Sequence, residues 1–453
     1  MTIAAIATPL GEGGIGIVRL SGPNSLLIAQ KIFIAKGQQL NYEQPNYLRY
    51  GIIVDEQGRT VDEAMAVFMR SPHSYTAEDV VELQCHGSRA ALEKVLSLAM
   101  HYGARLALPG EFTQRAFLNG RLDLSQAEAV IDIIKARTQA SLKIAMRQHR
   151  GILSQEISKQ RNALKDIIVR MEALIDYPEE DLEDLDMSDI GKVLEEVSGA
   201  LDNLVKSSQT GRVLREGLRV VIVGRPNVGK SSLLNFLLQE ERAIVSSIAG
   251  TTRDVIEESF SLGGIPLVLV DTAGIRTTQD EIEKIGVERT FFNMQAADLV
   301  LLMLDASAGL TDEDMQLIYR LRGQKTLVVV NKIDEQQIPD VSGLPKELGD
   351  IIYISVRTGQ GLDTFKNYLE KMVFGSSAAS LDDNIYVQNV RHEKLIKDSL
   401  QAVEEALTGL EYLPPDCIVI DLREAVDSLG MITGESVPDE IINEIFARFC
   451  IGK

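Results

Sequence analysis

Cysteine is scarce: the 453 residues hold three, Cys85, Cys417 and Cys450. An odd number at such wide spacing builds neither a disulfide framework nor a zinc site, and it suits a reducing compartment. The five histidines, His73, His86, His101, His149 and His392, are equally scattered and show no metal-ligand spacing. Positive charge in excess is also missing. Lys and Arg number 46 against 66 Asp and Glu, a formal net charge of −20. That balance argues against gripping nucleic acid by broad phosphate neutralisation, though not against a local basic patch or a shape-based contact. No apolar run approaches the ~20 residues that span a bilayer. Residues Met1 to Val18 lack the basic start and long apolar core of a secretory signal. The expectation is a cytoplasmic chain with no membrane partner.

What is present is an ordinary globular composition, 45% hydrophobic and 25% charged, in a chain long enough for two to four domains. Residues 1–120 read as α+β. Apolar segments such as Ile15–Val18 and Ala64–Phe68 look like strands, and Ser25–Ile34 and Arg89–Tyr102 like helices. From Ser125 to Ile175 there is no proline and one glycine, Gly151. That texture predicts two long helices, the first opened by a capping box of Ser125 and Glu128. The acidic run Asp176–Asp189 reads as a solvated helix end or loop. From 218 to 375 strand and helix patterns alternate, the mark of a wound, mostly parallel sheet. After the small-residue stretch Gly375–Ser380 the chain is helical again to Lys453. The spacing divides the chain into 1–120, 121–216, 217–378 and 379–453. The two helical segments form either one all-α body with the α/β domain inserted, or separate domains.

The strand Leu218–Val223 runs into Gly224-Arg225-Pro226-Asn227-Val228-Gly229-Lys230-Ser231 and then a helix from Ser232. This is a phosphate-binding loop in its strand–loop–helix setting: glycines let amides turn toward phosphate oxygens at the positive end of a helix. Lys230 suits the β- and γ-phosphates, and the Ser231 hydroxyl suits Mg²⁺. Asp271-Thr272-Ala273-Gly274 follows the apolar strand Leu267–Val270. There Asp271 can hold a magnesium-bound water and the Gly274 amide can sense the γ-phosphate. Between these lies Gly250-Thr251-Thr252-Arg253-Asp254, whose Thr252 is a second candidate magnesium ligand in a switch segment. Asn331-Lys332-Ile333-Asp334 ends another strand, and the Asp334 carboxylate matches the paired donors on guanine's edge. Adenine offers no such edge, and a buried reader left unpaired discriminates by roughly 10⁴-fold. Ser355-Val356-Arg357 can set a backbone amide on guanine O6. Together these elements select GTP.

Ile275 follows Gly274, where Ras-like GTPases carry the glutamine that orients the attacking water. Another group must hold that water, and Glu283 is the candidate. Charge for the transition state can come from Arg225, Arg253, Arg276, a partner or a monovalent cation. The Asn227 carbonyl oxygen suits such a cation.

Three further segments carry a resemblance. Gly13–Gly22 (GGIGIVRLSG), Pro109–Asn119 (PGEFTQRAFLN) and the tail Phe449-Cys450-Ile451-Gly452-Lys453, with the loops above, make the chain similar over its length to the MnmE (TrmE) family of tRNA-modification GTPases. The resemblance implies an N-terminal folate-binding, dimerising α+β domain and an all-α domain with a Ras-like P-loop GTPase domain inserted. It implies a homodimer that acts with the flavin protein MnmG, adding an aminomethyl or carboxymethylaminomethyl group to C5 of the wobble uridine of certain tRNAs. The one-carbon unit then comes from 5-formyltetrahydrofolate or a related folate. Within Ser246-Ser247-Ile248-Ala249-Gly250-Thr251 the family pattern assigns K⁺ coordination to Thr251 and the backbone of Ser246 and Ile248, together with Asn227. It assigns water positioning to Glu283, and folate contacts to Arg19, Glu82, Arg121 and Lys453. Arg121 stands where the pattern often has lysine, and Val356 where alanine is usual. The resemblance brings the tail near the folate, where the Cys450 thiol can assist chemistry. Two alternatives stand beside this reading. One is a ribosome-assembly GTPase, although no Gly-x-x-Gly clamp or basic RNA-binding surface is legible. The other is a GTP-gated scaffold without folate chemistry.

Overall fold

A computed structural model describes the chain apart from residues 10, 177–186, 241–257, 271–296, 336–342, 346–347 and 376–383. The chain divides into two compact units. One holds Met1–Ile131, Gln148–Lys165 and Val426–Lys453; the other holds Asp132–Arg147 and Asp166–Ala425.

The first unit is built on a seven-stranded sheet. Its strands are β1 (Ile3–Ile6), β2 (Gly13–Ser21), β3 (Phe33–Ala35), β4 (Arg49–Val54), β5 (Thr60–Met69), β6 (Val80–Gly87) and β7 (Arg105–Leu106), in the order β3-β4-β5-β6-β2-β1-β7. Only β1 and β7 run parallel. Helices α1 (Ser25–Ile32) and α2 (Arg89–His101) cover one face. Their apolar residues Leu26, Ile32, Leu92 and Leu98 close a core over Leu20, Phe68 and Leu83. The first helix ends two residues sooner than its periodicity suggests, because Phe33 is extended and starts β3. Helix α3 (Glu111–Leu118) follows β7.

The proline-free stretch makes three helices, not two: α4 (Leu124–Lys135), α5 (Gln139–His149) and α6 (Ile152–Asp176). Two local signals make the breaks. The Thr138 hydroxyl accepts the Ser141 amide at 3.1 Å, starting a new helix, and Gly151 turns with φ of +84°. The capping box at the head of α4 also sits two residues earlier than expected. The Asp123 carboxylate accepts the Gln126 backbone amide, and the Gln126 side-chain Oε1 accepts the Asp123 backbone amide, both at 2.9 Å. Ser125 instead shares a buried hydroxyl hydrogen bond with Ser154 at 2.8 Å.

The second unit carries a six-stranded sheet of β8 (Leu218–Val223), β9 (Glu258–Leu262), β10 (Ile265–Leu269), β11 (Leu299–Asp305), β12 (Thr326–Asn331) and β13 (Ile351–Tyr353). The order is β13-β12-β11-β8-β10-β9, and all neighbours are parallel except β9 and β10. Both faces are apolar, as a parallel sheet requires. Val220 and Ile222 pack under α8 (Lys230–Glu240) and α10 (Leu362–Phe374), while Val221 and Val223 pack under α9 (Asp312–Arg320). A 30-residue helix, α7 (Met187–Glu216), leads into β8 and packs on α11 (Val390–Gly409). Helix α12 (Pro415–Thr433) and, in the first unit, α13 (Asp439–Ala447) complete the chain. None of the described helices is long and apolar enough to cross a membrane.

A candidate nucleotide site and a cationic cluster

The sheet turns direction at β8, which has β11 on one side and β10 on the other. Ligand loops gather outside the carboxyl ends of strands at such a switch point. Here residues 224–231 follow β8, 331–334 end β12 and 355–357 follow β13.

The phosphate loop curls on left-handed backbone. Asn227 has φ of +64° and Gly229 +107°. A side chain at Gly229 is excluded twice, by this φ and by the Asn331 carboxamide, into which its Cβ would run. Lys230 opens α8 with its ammonium donating to the carbonyls of Gly224 and Arg225, each at 2.7 Å. Ser231 and Ser232 are exposed in the same first turn, Pro226 and Asn227 are exposed on the loop, and Val228 is buried beneath it.

Asn331 joins this loop to the base-reading loops. Buried at 3% exposure, its Nδ2 donates to the Val228 carbonyl at 2.9 Å, and its Oδ1 accepts the Val356 amide at 3.1 Å. Lys332, at φ +67°, sends its ammonium to Asp305 Oδ2 at 2.6 Å. Asp334 Oδ1 accepts the buried Ser355 hydroxyl at 2.6 Å. Its Oδ2 is buried, makes no hydrogen bond and lies 3.2 Å from Arg357 Nε. The Ser355 hydroxyl, opposed by burial and aided by Arg357, holds the Asp334 carboxyl below the usual carboxylate range. An ionised acceptor with one oxygen anchored by Ser355 and the other making no hydrogen bond and ion-paired only with the exposed Arg357 fits guanine's N1–H and exocyclic amine.

Arg225, one of the cations offered for transition-state charge, is committed elsewhere. Its Nε donates to the fully buried Asp314 at 2.9 Å. Arg253, Arg276, Glu283, Thr252, the segment Ser246–Thr251, and Asp271 with Thr272, Ala273 and Gly274 lie outside the described residues.

The first unit holds a second cluster. Arg19 Nε donates to Glu82 at 2.8 Å across the β2–β6 pair, and its Nη1 donates to the Gly452 carbonyl at 3.2 Å. The guanidiniums of Arg19 and Arg121 both lie over the Tyr75 ring, 5.5 and 5.2 Å from its centre. Phe112 also underlies Arg19, at 5.7 Å. Burial, then repulsion from Arg19, lowers the pKa of Lys453. Arg19, Glu82, Arg121 and Lys453 therefore share one neighbourhood, with three cations against one carboxylate. Cys450 is exposed beside it, whereas burial pushes the Cys85 thiol up to about 12.

The tail reaches this place through close backbone packing. At Gly452, φ is +94° and a Cβ would stand 2.5 Å from the Ile6 carbonyl. Ile442, Phe446 and Phe449 bury against Leu124 and Ala127, while Ile441 is exposed. Tyr75, Asp305 and Asp314 carry no motif of their own. Only the Thr311-x-x-Asp314 capping pattern was there to be found.

A phosphate loop at a topological switch point, tied by Asn331 to a carboxylate reader, defines a P-loop GTPase. Two family models match the chain: "GTP-binding protein TrmE N-terminus" over residues 2–121 and "MnmE helical domain" over residues 124–450. Proteins called tRNA modification GTPase MnmE from Lactiplantibacillus plantarum and Streptococcus pyogenes are 47% and 46% identical to it, each over 100% of this chain and 98% of the relative. One from Desulforamulus reducens is 45% identical over 100% of this chain and 99% of the relative. The chain belongs to the MnmE (TrmE) family of tRNA modification GTPases.

Proposed function

We propose that this enzyme is a potassium-stimulated GTPase. As a homodimer with the flavoprotein MnmG, it places an aminomethyl-type group on C5 of a tRNA wobble uridine, using a folate one-carbon unit. The observation that carries the folate part is the grouping of Arg19, Arg121 and Lys453 around Tyr75 with Glu82. The cations suit the carboxylates of a folate glutamate tail, Glu82 suits the donor edge of a pterin, and Tyr75 and Phe112 offer apolar faces. When bound, 5-formyltetrahydrofolate supplies the one-carbon unit.

In the nucleotide site Lys230 binds the β- and γ-phosphates, and the loop amides from 227 to 232, past the amide-less Pro226, surround them. Asp334 reads guanine, and Val356 offers its amide toward O6 while Asn331 keeps the loops in register. The donor sets fit the ions the reaction calls for. Ser231 presents a hydroxyl at the exposed first turn of α8, and Asn227 presents an exposed carboxamide beside it. Bound Mg²⁺ and K⁺ supply fixed positive charge where negative charge develops. The engagement of Arg225 with Asp314 favours that source of charge over an arginine from this loop. Thr252 completes the magnesium set, Ser246, Ile248 and Thr251 the potassium set, and Glu283 holds the attacking water.

The test compares GTP turnover in potassium and sodium chloride at equal ionic strength and titrates the chain with 5-formyltetrahydrofolate. Faster turnover in potassium and saturable folate binding, lost in Arg19→Ala, are the expected results. Equal turnover in both salts removes the cation mechanism. Absent folate binding returns the chain to a GTP-gated scaffold.

A further inference from the structure

Arg225 is the second residue of the phosphate loop, and its guanidinium turns to α9 through Nε, while Nη2 is buried without a hydrogen bond. Arg225 Nε donates to Asp314 Oδ1 at 2.9 Å; the Asp314 side chain is 0% exposed and that of Arg225 18%. The second Asp314 oxygen accepts the Thr311 amide at 3.0 Å and the Thr311 hydroxyl at 2.9 Å, closing the capping box at the head of α9. The same Arg225 offers its backbone carbonyl to the Lys230 ammonium at 2.7 Å, next to that of Gly224. A chain of contacts thus runs from the start of α9, through one buried ion pair, to the lysine that meets the phosphates.

A buried carboxylate stripped of its cation is strongly unfavourable, so Arg225 cannot swing toward a γ-phosphate without stranding Asp314. We propose that the Arg225–Asp314 pair is a positioning device: it pins the loop backbone so that the carbonyls of residues 224 and 225 hold the Lys230 ammonium in place for the triphosphate. The pair rests on the reading of residues 224–231 as the GTP loop. It acts through Lys230 and touches no reacting atom.

The experiment measures the affinity of the full-length chain for a fluorescent, non-hydrolysable GTP analogue, together with its melting temperature. Binding by the wild-type chain tests the GTPase reading, and the ratio of variant to wild type tests the pair. Arg225→Ala weakens the analogue about ten- to a hundredfold, the scale on which small misplacements act. Arg225→Ala combined with Asp314→Ala is no weaker than Arg225→Ala alone, because both changes break one link. Thr311→Ala removes half the helix cap but leaves the ion pair, so it lowers the melting temperature and leaves affinity unchanged. If Arg225→Ala fails to fold, Arg225→Met combined with Asp314→Leu removes both charges without stranding either. Wild-type affinity in Arg225→Ala or in this double variant overturns the proposal. So does a loss in Thr311→Ala equal to that in Arg225→Ala.

Discussion

Asp334→Asn separates base reading from loop architecture. The Ser355 hydroxyl donates to Asp334 Oδ1 at 2.6 Å, and an asparagine oxygen can accept the same bond, so the loop keeps its internal tie. What changes is Oδ2, the buried oxygen without a hydrogen bond, which becomes an NH₂. Guanine's two donors then lose an ionised acceptor, and one of them meets another donor. Hydrogen bonds to a charged group contribute about 1.5–3 kcal/mol each, so two amount to about 3–6 kcal/mol. That corresponds to a loss of roughly 10²- to 10⁴-fold in affinity. Titration with a fluorescent GDP, with thermal melting alongside, reads both effects. The expected result is a guanine-nucleotide affinity lowered by at least two powers of ten with a nearly unchanged melting temperature. Retained affinity would refute the role given to Asp334. A collapse of the fold would instead show that the carboxylate matters to the loop more than to the base.

Gly229→Ala brings a Cβ into the Asn331 carboxamide on left-handed backbone. Nucleotide binding should disappear in the same titration while far-UV dichroism is preserved. Gly452→Ala pushes the tail off the Ile6 carbonyl, so folate titration should show the affinity lost and GTP turnover of the chain alone kept. Glu111 is a buried carboxylate that accepts from Arg105, from Arg115 at 2.9 Å and from the Leu108 amide at 3.0 Å. Burial raises its pKa, but these partners outweigh it and the net direction is down from 4.5. Its stabilisation is therefore present above the ordinary carboxylate pKa and lost as pH falls through the lower folded value. Glu111→Gln should lower the melting temperature at pH 7, with the difference from wild type shrinking as pH falls below about 4; an equal difference at both pH values would contradict the assignment.

Much of the nucleotide site was legible because its chemistry is local. A phosphate loop needs its glycines, lysine and serine within one turn of chain, and a base reader needs its asparagine and aspartate at the end of one strand. Strands alternating with helices likewise announced the wound sheet. The helical stretch was less legible. A missing proline does not stop a threonine cap or a left-handed glycine from ending a helix, and the Thr138 and Gly151 breaks split two expected helices into three.

By itself, then, the sequence determined the order of the elements, the guanine-nucleotide chemistry of its loops and the family. Tertiary structure decided which distant groups meet. It joined Asn331 to Val228 and Val356, engaged Arg225 with Asp314, and brought Lys453 to Arg19 and Glu82 through a tail seated at Gly452. The physical reason is that a buried charge or amide must find its partner in space, and chain spacing carries no record of which one it finds.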